Sequence, residues 1–307
     1  MGKSKLIACM SWGTLKIVLA LVLVFSSCSL RINKAQETKD DFINQDCISA
    51  ASSSHIIQGQ KIGISNPDNR NAVLLISDVV RFDEKTKTYK KQQAHCTATP
   101  ISSNVLLTAA HCVKSAVKIS ASFYPTITCS SGYSFTNHTI VARDFTYHPL
   151  YDDSEDLNNT WDENPDLALI RLDQNIPSQY PIFKIANVSE ISASDLYLYG
   201  FGKTGTFDKG EIPYLRRAVV DRRNLGLSGN NLIIDQQNKP GVCNGDSGGA
   251  GLMQHNNELV IIGVNSFVYN TKNTMDSCNG SSSLVLAYSY INWINETMQK
   301  WGSRLKK

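Results

Sequence analysis

The chain has 307 residues, 42% of them hydrophobic and 19% charged, with a formal net charge of +3. That length allows one large domain or two small ones, and that composition is of a folded globular protein rather than a disordered one. The charge is too small to point to a nucleic acid or a membrane surface as partner, and no internal repeat or long low-complexity run is visible.

The first element in chain order is not part of the fold. Lys3, Lys5 and Lys16 precede the apolar run IVLALVLVF at 17–25, and small residues follow in FSSCS. A basic region, a short apolar stretch and small residues make a secretory signal over 1–28. The apolar run is about half the ~20 residues a spanning helix needs, so export is expected rather than a retained anchor. Phe25-Ser26-Ser27-Cys28 also resembles a bacterial lipobox, which makes Cys28 a lipidation candidate. Phe25 is not the usual aliphatic residue there, so ordinary cleavage beside an incidental cysteine is the alternative. The expected location is outside the cytoplasm: secreted, or periplasmic and held at the cell envelope, with membrane attachment only through a lipid on Cys28. Residues 29–55 are polar and rich in Ser, Asn and Lys, as in a propeptide or linker.

Cys47, Cys96, Cys112, Cys129, Cys243 and Cys278 remain beyond the signal region. An even set in an exported chain suggests disulfides, with the pairing left open by the sequence. No CxxC pair occurs, which disfavours a structural zinc site.

From about residue 72, strand-sized apolar or β-branched runs alternate with turn signals. They are AVLLISDVV (72–80), VLLTAA (105–110), VKISASFY (117–124), DLALIRL (166–172), DLYLYGFG (195–202), NLIID (231–235) and ELVIIGVNSFV (258–268). This is the pattern of a β-barrel or sandwich. The acidic, turn-rich stretch 148–165 predicts an exposed loop. Only the C-terminus reads as helix: Tyr290, Ile291, Ile294, Met298 and Trp301 recur near a 3.6-residue period, and Gly302 is a stop signal. Arg304, Lys306 and Lys307 close the chain as a solvated tail.

The chemistry concentrates in GVCNGDSGGAG at 241–251. Serine is a poor nucleophile unless a base takes its proton and donors stabilise the oxyanion. A turn through Gly245-Asp246-Ser247 can aim the N–H groups of Gly245 and Ser247 at one point. His111 ends the strand-like VLLTAAHC, and Asp166 begins DLALIRL. Alone, a buried histidine and a strand-start acid explain these two. Together, base, acid and nucleophile run in the order His111, Asp166, Ser247, one of the known triad orders. The G-x-S-x-G elbow of α/β-hydrolases is excluded: it needs a histidine well after the serine, and only His255 follows. Gly202-Lys203-Thr204 lacks the upstream glycine of a P-loop, where Tyr197 stands.

LTAAHC at 107–112, DLALIRL at 166–172 and GDSGG at 245–249 resemble the three signature segments of the trypsin/chymotrypsin-like serine endopeptidases. HPLY at 148–151, GFGKTG at 200–205, VNSFV at 264–268 and NWI at 292–294 are weaker echoes, so the resemblance covers about 55–302. It implies an all-β fold of two packed six-stranded antiparallel β-barrels, about 56–180 and 181–302, with a C-terminal α-helix. His111 would be general base and then acid, Asp166 its orienting partner, Ser247 the nucleophile, and the Gly245 and Ser247 N–H groups the oxyanion hole. Ser266 would support the acid, and substrate would add as a strand along Ser266, Phe267 and Val268.

The resemblance also implies that Cys96 pairs with Cys112 and Cys243 with Cys278. That leaves Cys47 and Cys129 as a third pair or as two free thiols. Ile56-Ile57-Gln58-Gly59 resembles the family's new N-terminus after zymogen cleavage, with Asp246 the partner of the Ile56 amine. His55, however, stands where Lys or Arg is usual, so the activating protease or the cut site departs from the common pattern. Gly241 falls where trypsins carry an acid at the base of the primary pocket, and Val242, Asn244, Asn265 and Ser282 are expected around it. Preference for small or medium uncharged side chains follows. Expected partners are polypeptide substrates and an activating protease, with no nucleic acid; the protein is expected to be a monomer needing no cofactor and no metal. A catalytically silent relative used for binding is the alternative.

Overall fold

The computed structural model describes residues 58–306 apart from 64–65, 124–125, 129–133, 137, 154–163, 188, 190–193, 204–213 and 270–277. The signal segment, Cys28, Cys47, residues 29–55, Ile56 and Cys129 therefore lie outside the described residues, as does most of the expected loop at 148–165.

After the two-residue β1 (Gln60–Lys61), the first half contains β2 (Val73–Asp83), β3 (Thr88–Pro100), β4 (Val105–Thr108), β5 (Ala116–Ser122), β6 (Thr126–Thr128), β7 (Ser134–Thr136), β8 (Thr139–Tyr147) and β9 (Ala168–Leu172). Six of them close an antiparallel barrel in the order β2-β3-β4-β9-β8-β5, and β6 and β7 form a separate ribbon. Leu74, Leu75, Leu106, Leu107, Leu169 and Ile170 are fully buried, because the barrel is filled inside and covered outside by the rest of the molecule. Each such side chain contributes about 1.5–3 kcal/mol of burial free energy. The far ends of β2 and β3 leave this core as a hairpin. There Phe82 pairs with Tyr89, and their rings meet edge to face at 5.2 Å.

The second half is a curled sheet of β10 (Leu196–Gly200), β11 (Arg216–Val220), β12 (Leu225–Ser228), β13 (Asn231–Asp235), β14 (Ala250–His255), β15 (Glu258–Tyr269) and β16 (Ser281–Leu286). Its order is β1-β11-β10-β14-β15-β16-β13-β12. The all-β two-part fold expected from the sequence is what forms. The second sheet has eight strands rather than six, because β1 adds at one edge and the short β12 adds at the other. Asn256 and Asn257, both at positive φ, make the two-residue turn joining β14 to β15, as asparagines do in tight hairpins.

A single apolar cluster runs from the barrel through Leu252, Ile261, Val264 and Val285 to Ile294 and Met298 of the helix α1 (Ile291–Lys300), so the two halves share a core. The helix ends as its sequence predicts. Gly302 takes φ +70°, Ser303 N–H donates to Met298 O, and Gly302 N–H donates to Gln299 O, which together satisfy the last free carbonyls.

Candidate active site

The register of β4 and β9 brings the first two chemical groups together. Thr108 pairs with Ala168, so the chain leaving β4 and the chain entering β9 lie side by side at one end of the barrel. His111 sits in a 3-10 turn (Ala110–Cys112) just after β4, and the Cys96–Cys112 disulfide ties that turn to β3. Asp166 lies two residues before β9 and is buried. His111 N–H donates to Asp166 Oδ1 at 2.9 Å, and the ring Nδ1 lies 2.7 Å from Oδ2. An ionised carboxylate only accepts, so Nδ1 carries the proton and the neutral ring keeps Nε2 as its basic nitrogen. The ring remains 36% exposed.

The third contact to this acid comes from the other half of the molecule. β15 bulges between Asn265 and Phe267, which turns the Ser266 hydroxyl onto Asp166 Oδ2 at 2.6 Å. Burial pushes the Asp166 pKa up, but the His111 charge and the hydrogen bonds from His111 and Ser266 outweigh it, so the acid is held below its usual value. Burial pushes His111 down, and the Asp166 charge and hydrogen bond more than reverse this, so the imidazole is more basic than usual.

Ser247 lies in the glycine-rich turn before β14. The hydrogen bonds that set this turn run from the N–H groups of Asp246, Gly248 and Gly249 to Cys243 O, Asn265 O and Asp246 O. The carbonyls of Ser247 and Gly245 accept from the N–H and the hydroxyl of Thr97, at 2.8 and 3.0 Å. Among the described residues, the Gly245 and Ser247 N–H groups are outside this set. Glycine is required at two points. Gly245 has φ +100° and packs on Gly202, and a Cβ on Gly248, at φ +83°, would fall 2.0 Å from the Thr108 hydroxyl. Thr97 follows Cys96 directly, and the Cys112 sulfur is 3.8 Å from Ser247 O, so the serine turn and the histidine turn are neighbours.

Cys96, His111 and Cys112 place their ligand atoms within 4.8 Å of one another. Both sulfurs are joined in the disulfide, however, and a metal needs thiolates, so this is no metal site.

The remaining site residues are distributed as follows. Cys243 is bonded to Cys278, as the resemblance implies. Asp246 is fully buried, with its carboxylate accepting from Gly202 N–H at 2.8 Å and Cys243 N–H at 2.9 Å. Val242 packs in the apolar cluster of the second sheet, Asn244 is exposed, and Phe267 and Val268 are half-buried. Asn265 turns its amide onto Asp246 O at 3.2 Å and so braces the serine turn.

Gln236 and Thr97 escape sequence reasoning. Gln236 is fully buried beneath Gly241, where a Cβ would fall 2.2 Å from its Oε1. Its amide donates to Val242 O and Cys278 O and accepts from Val242 N–H and the Ser282 hydroxyl. No local signal marks either residue, since both are ordinary polar positions whose partners are distant in sequence.

A two-part β protein with a His–Asp pair on one half, next to a glycine-flanked serine turn on the other, has the layout of a serine hydrolase site. The Trypsin family model matches residues 80–294, and the chain belongs to that family of serine proteases. It is 29% identical to "Serine protease SP24D" of Anopheles gambiae over 217 residues, 67% of this chain and 73% of the relative. A solved structure of HL collagenase superposes on 81% of this chain and 100% of its own, with a TM-score of 0.56 at 18% identity. At that identity the likeness concerns the fold.

Proposed function

We propose that the protein is an exported serine endopeptidase that hydrolyses polypeptides through an acyl-enzyme. The reading is carried by the His111–Asp166 hydrogen bond of 2.7 Å, made on a buried acid that Ser266 also binds. Ser247 attacks the scissile carbonyl and His111 Nε2 takes its proton, later giving it to the leaving amine. Asp166 holds the tautomer and stabilises the imidazolium. The N–H groups of Gly245 and Ser247 receive the oxyanion.

Substrate adds to β15 beyond Asn265: the pairing with β14 ends at Ala250↔Val264, Asn265 still bonds Gly248 and Gly249, and further along the strand pairs with β16. That open stretch, Ser266 to Val268, suits an extended peptide. Gly241 stands where a carboxylate would favour Lys or Arg, and the Gln236 amide beneath it is uncharged and fully bonded, so small or medium uncharged side chains are preferred. The precursor is cleaved between His55 and Ile56 to free an amine for Asp246. The enzyme domain is 56–302, the product acts as a monomer, and Cys28 is the point of lipid attachment if there is one.

Active-site labelling with a fluorophosphonate, combined with N-terminal sequencing, tests this. The expected result is labelling of the wild-type protein, none of Ser247→Ala, and a mature start at Ile56. A cleaved sample that stays as unlabelled as Ser247→Ala points instead to a catalytically silent relative.

A further inference from the structure

Asp246 poses an electrostatic problem within the fold. Its carboxylate is fully buried and, among the described residues, is bonded by two backbone N–H groups, those of Cys243 and Gly202. The ionised form serves both donors best: a protonated carboxyl keeps one full carbonyl acceptor, while its hydroxyl oxygen accepts more weakly. The serine turn is therefore held best by a buried negative charge, and such a charge is costly without a cation.

The register of the sheet provides one. Gly200 on β10 pairs directly with Arg216 on β11. Gly200 has no side chain, and Asp246 Oδ1 occupies its place, 2.1 Å from where the Cβ would be. Directly paired residues project to the same face with their Cβ atoms about 4.5–5.5 Å apart. The Arg216 stem thus starts on the face of the sheet that holds the carboxylate. Arg216 is itself buried, at 3% exposure, and one of its guanidinium nitrogens donates to Tyr214 O at 3.0 Å.

The other charged groups nearby are turned elsewhere or, like Lys61 on the same face, stand exposed. Tyr199 and Arg217, one position along on each strand, face the other way and bind Asp68. Lys61, paired with Arg216 from the edge strand, is exposed with its ammonium over the Tyr214 ring. Lys203, at the end of the 200–203 turn, is exposed and meets the serine turn through its N–H, which donates to Asn244 O. Thr97 and Asn265, which pack on the turn from the barrel and from β15, are uncharged. Burial raises the Asp246 pKa to about 7 even with the two backbone bonds, and the charge that draws it back down is that of Arg216.

We propose that Arg216 is a positioning residue, the built-in counter-charge of Asp246, and that it keeps the Cys243–Gly249 turn competent in the chain that still carries residues 29–55. The inference rests on reading Ser247 as the nucleophile. It goes further in giving the uncleaved protein intrinsic reactivity. After cleavage, the Ile56 amine brings a second cation and the dependence on Arg216 falls away.

The test measures fluorophosphonate labelling of Ser247 against pH in two forms. One is the intact precursor, verified by mass. The other is a chain starting at Ile56, released by a specific protease whose recognition sequence is placed just before it. Wild type is compared with Arg216→Met, which keeps the buried stem, with Arg216→Gln, and with Arg216→Lys. The wild-type precursor is expected to label. In Arg216→Met and Arg216→Gln precursors, the onset of labelling is expected to move up about one pH unit, which slows labelling at pH 7 about fivefold. Arg216→Lys is expected to restore most of the rate, and all variants to label alike once the chain starts at Ile56.

A charge-removing precursor that melts like wild type and keeps the wild-type pH profile overturns the proposal. So does an inert wild-type precursor whose Ile56-started form labels, a comparison that needs no variant. Silence of both wild-type forms overturns the protease reading itself, which is a different failure from that of Arg216.

Discussion

Among the described residues two carboxylates are buried, Asp166 in the first half and Asp246 in the second, and their pKa values shift in opposite directions. Both are desolvated, and both accept backbone N–H groups. Asp166 also touches an imidazole and a serine hydroxyl, and it is held below its usual pKa. Asp246 has two N–H donors and a cation acting only through space, and it rises to about 7. Two backbone hydrogen bonds therefore do not offset full burial of a carboxylate, whereas a cationic partner in contact does. The first acid is charged near neutrality, which the orienting role proposed for it requires. The second titrates near neutrality, where a nearby cation changes its charge, which the switching role proposed for it requires.

Removing each acid breaks the comparison most strongly. Asp166→Asn leaves a carbonyl and an amide in place of two acceptors and frees His111 to take the wrong tautomer. Labelling of Ser247 is expected to fall by about 10⁴-fold, and the remaining activity should depend on pH through a less basic histidine, with its rise moved to lower pH. Asp246→Ala acts on the turn instead. It strands the buried N–H groups of Cys243 and Gly202, at about 1–3 kcal/mol each, measurable by urea denaturation.

The pH dependence of the two variants should have opposite signs. Stability from Asp166 is present above its unfolded pKa, 3.8, and is lost as pH falls through the lower folded value. The gap between wild type and Asp166→Asn therefore widens as pH rises through that acid range. Ionising Asp246 lowers stability as pH rises from 3.8 to about 7, so the gap between wild type and Asp246→Ala narrows over that interval. Parallel slopes would show that the two pockets do not differ as described.

Much of the fold was legible because its inner strands are apolar runs bounded by turns: β2, β4, β5, β9, β10, β13 and β15 all fall on segments read from the sequence. Strands that leave the core were not. β3 reads TYKKQQAHCTATP and is exposed over its first half, so no apolar run announces it. β16 opens with three serines, and Ser282 and Ser283 are nevertheless buried, one of them bonded to Gln236. In the candidate site, short motifs singled out His111, Asp166 and the serine turn, and the first two are in hydrogen-bond contact. They could not show Thr97 or Gln236, which act through partners brought near only by the closed barrel and the curled sheet. Asn265 was expected beside the substrate pocket; its amide donates to Asp246 O, a partner that no sequence motif announces.

Ser266→Ala is the mildest way to sharpen the contrast, because it removes one bond from Asp166 without removing the acid. The hydroxyl donates to Oδ2, the same oxygen that faces His111 Nδ1. Hydrogen bonds to charged groups contribute about 1.5–3 kcal/mol, but here two bonds from His111 remain, so the loss should lie at the low end. Without the hydroxyl the carboxylate is less stabilised and its pKa rises, so the acid unfolding midpoint should move to higher pH. The His111–Asp166 bond survives and the tautomer with it. Labelling near neutrality should therefore slow far less than in Asp166→Asn, with the largest difference on the acid side. A Ser266→Ala protein as impaired as Asp166→Asn at every pH would mean that the hydroxyl, rather than the imidazole, is what keeps the first carboxylate charged. Asp166 and Asp246 would then differ in the number of their hydrogen bonds and not in the presence of a cation at contact.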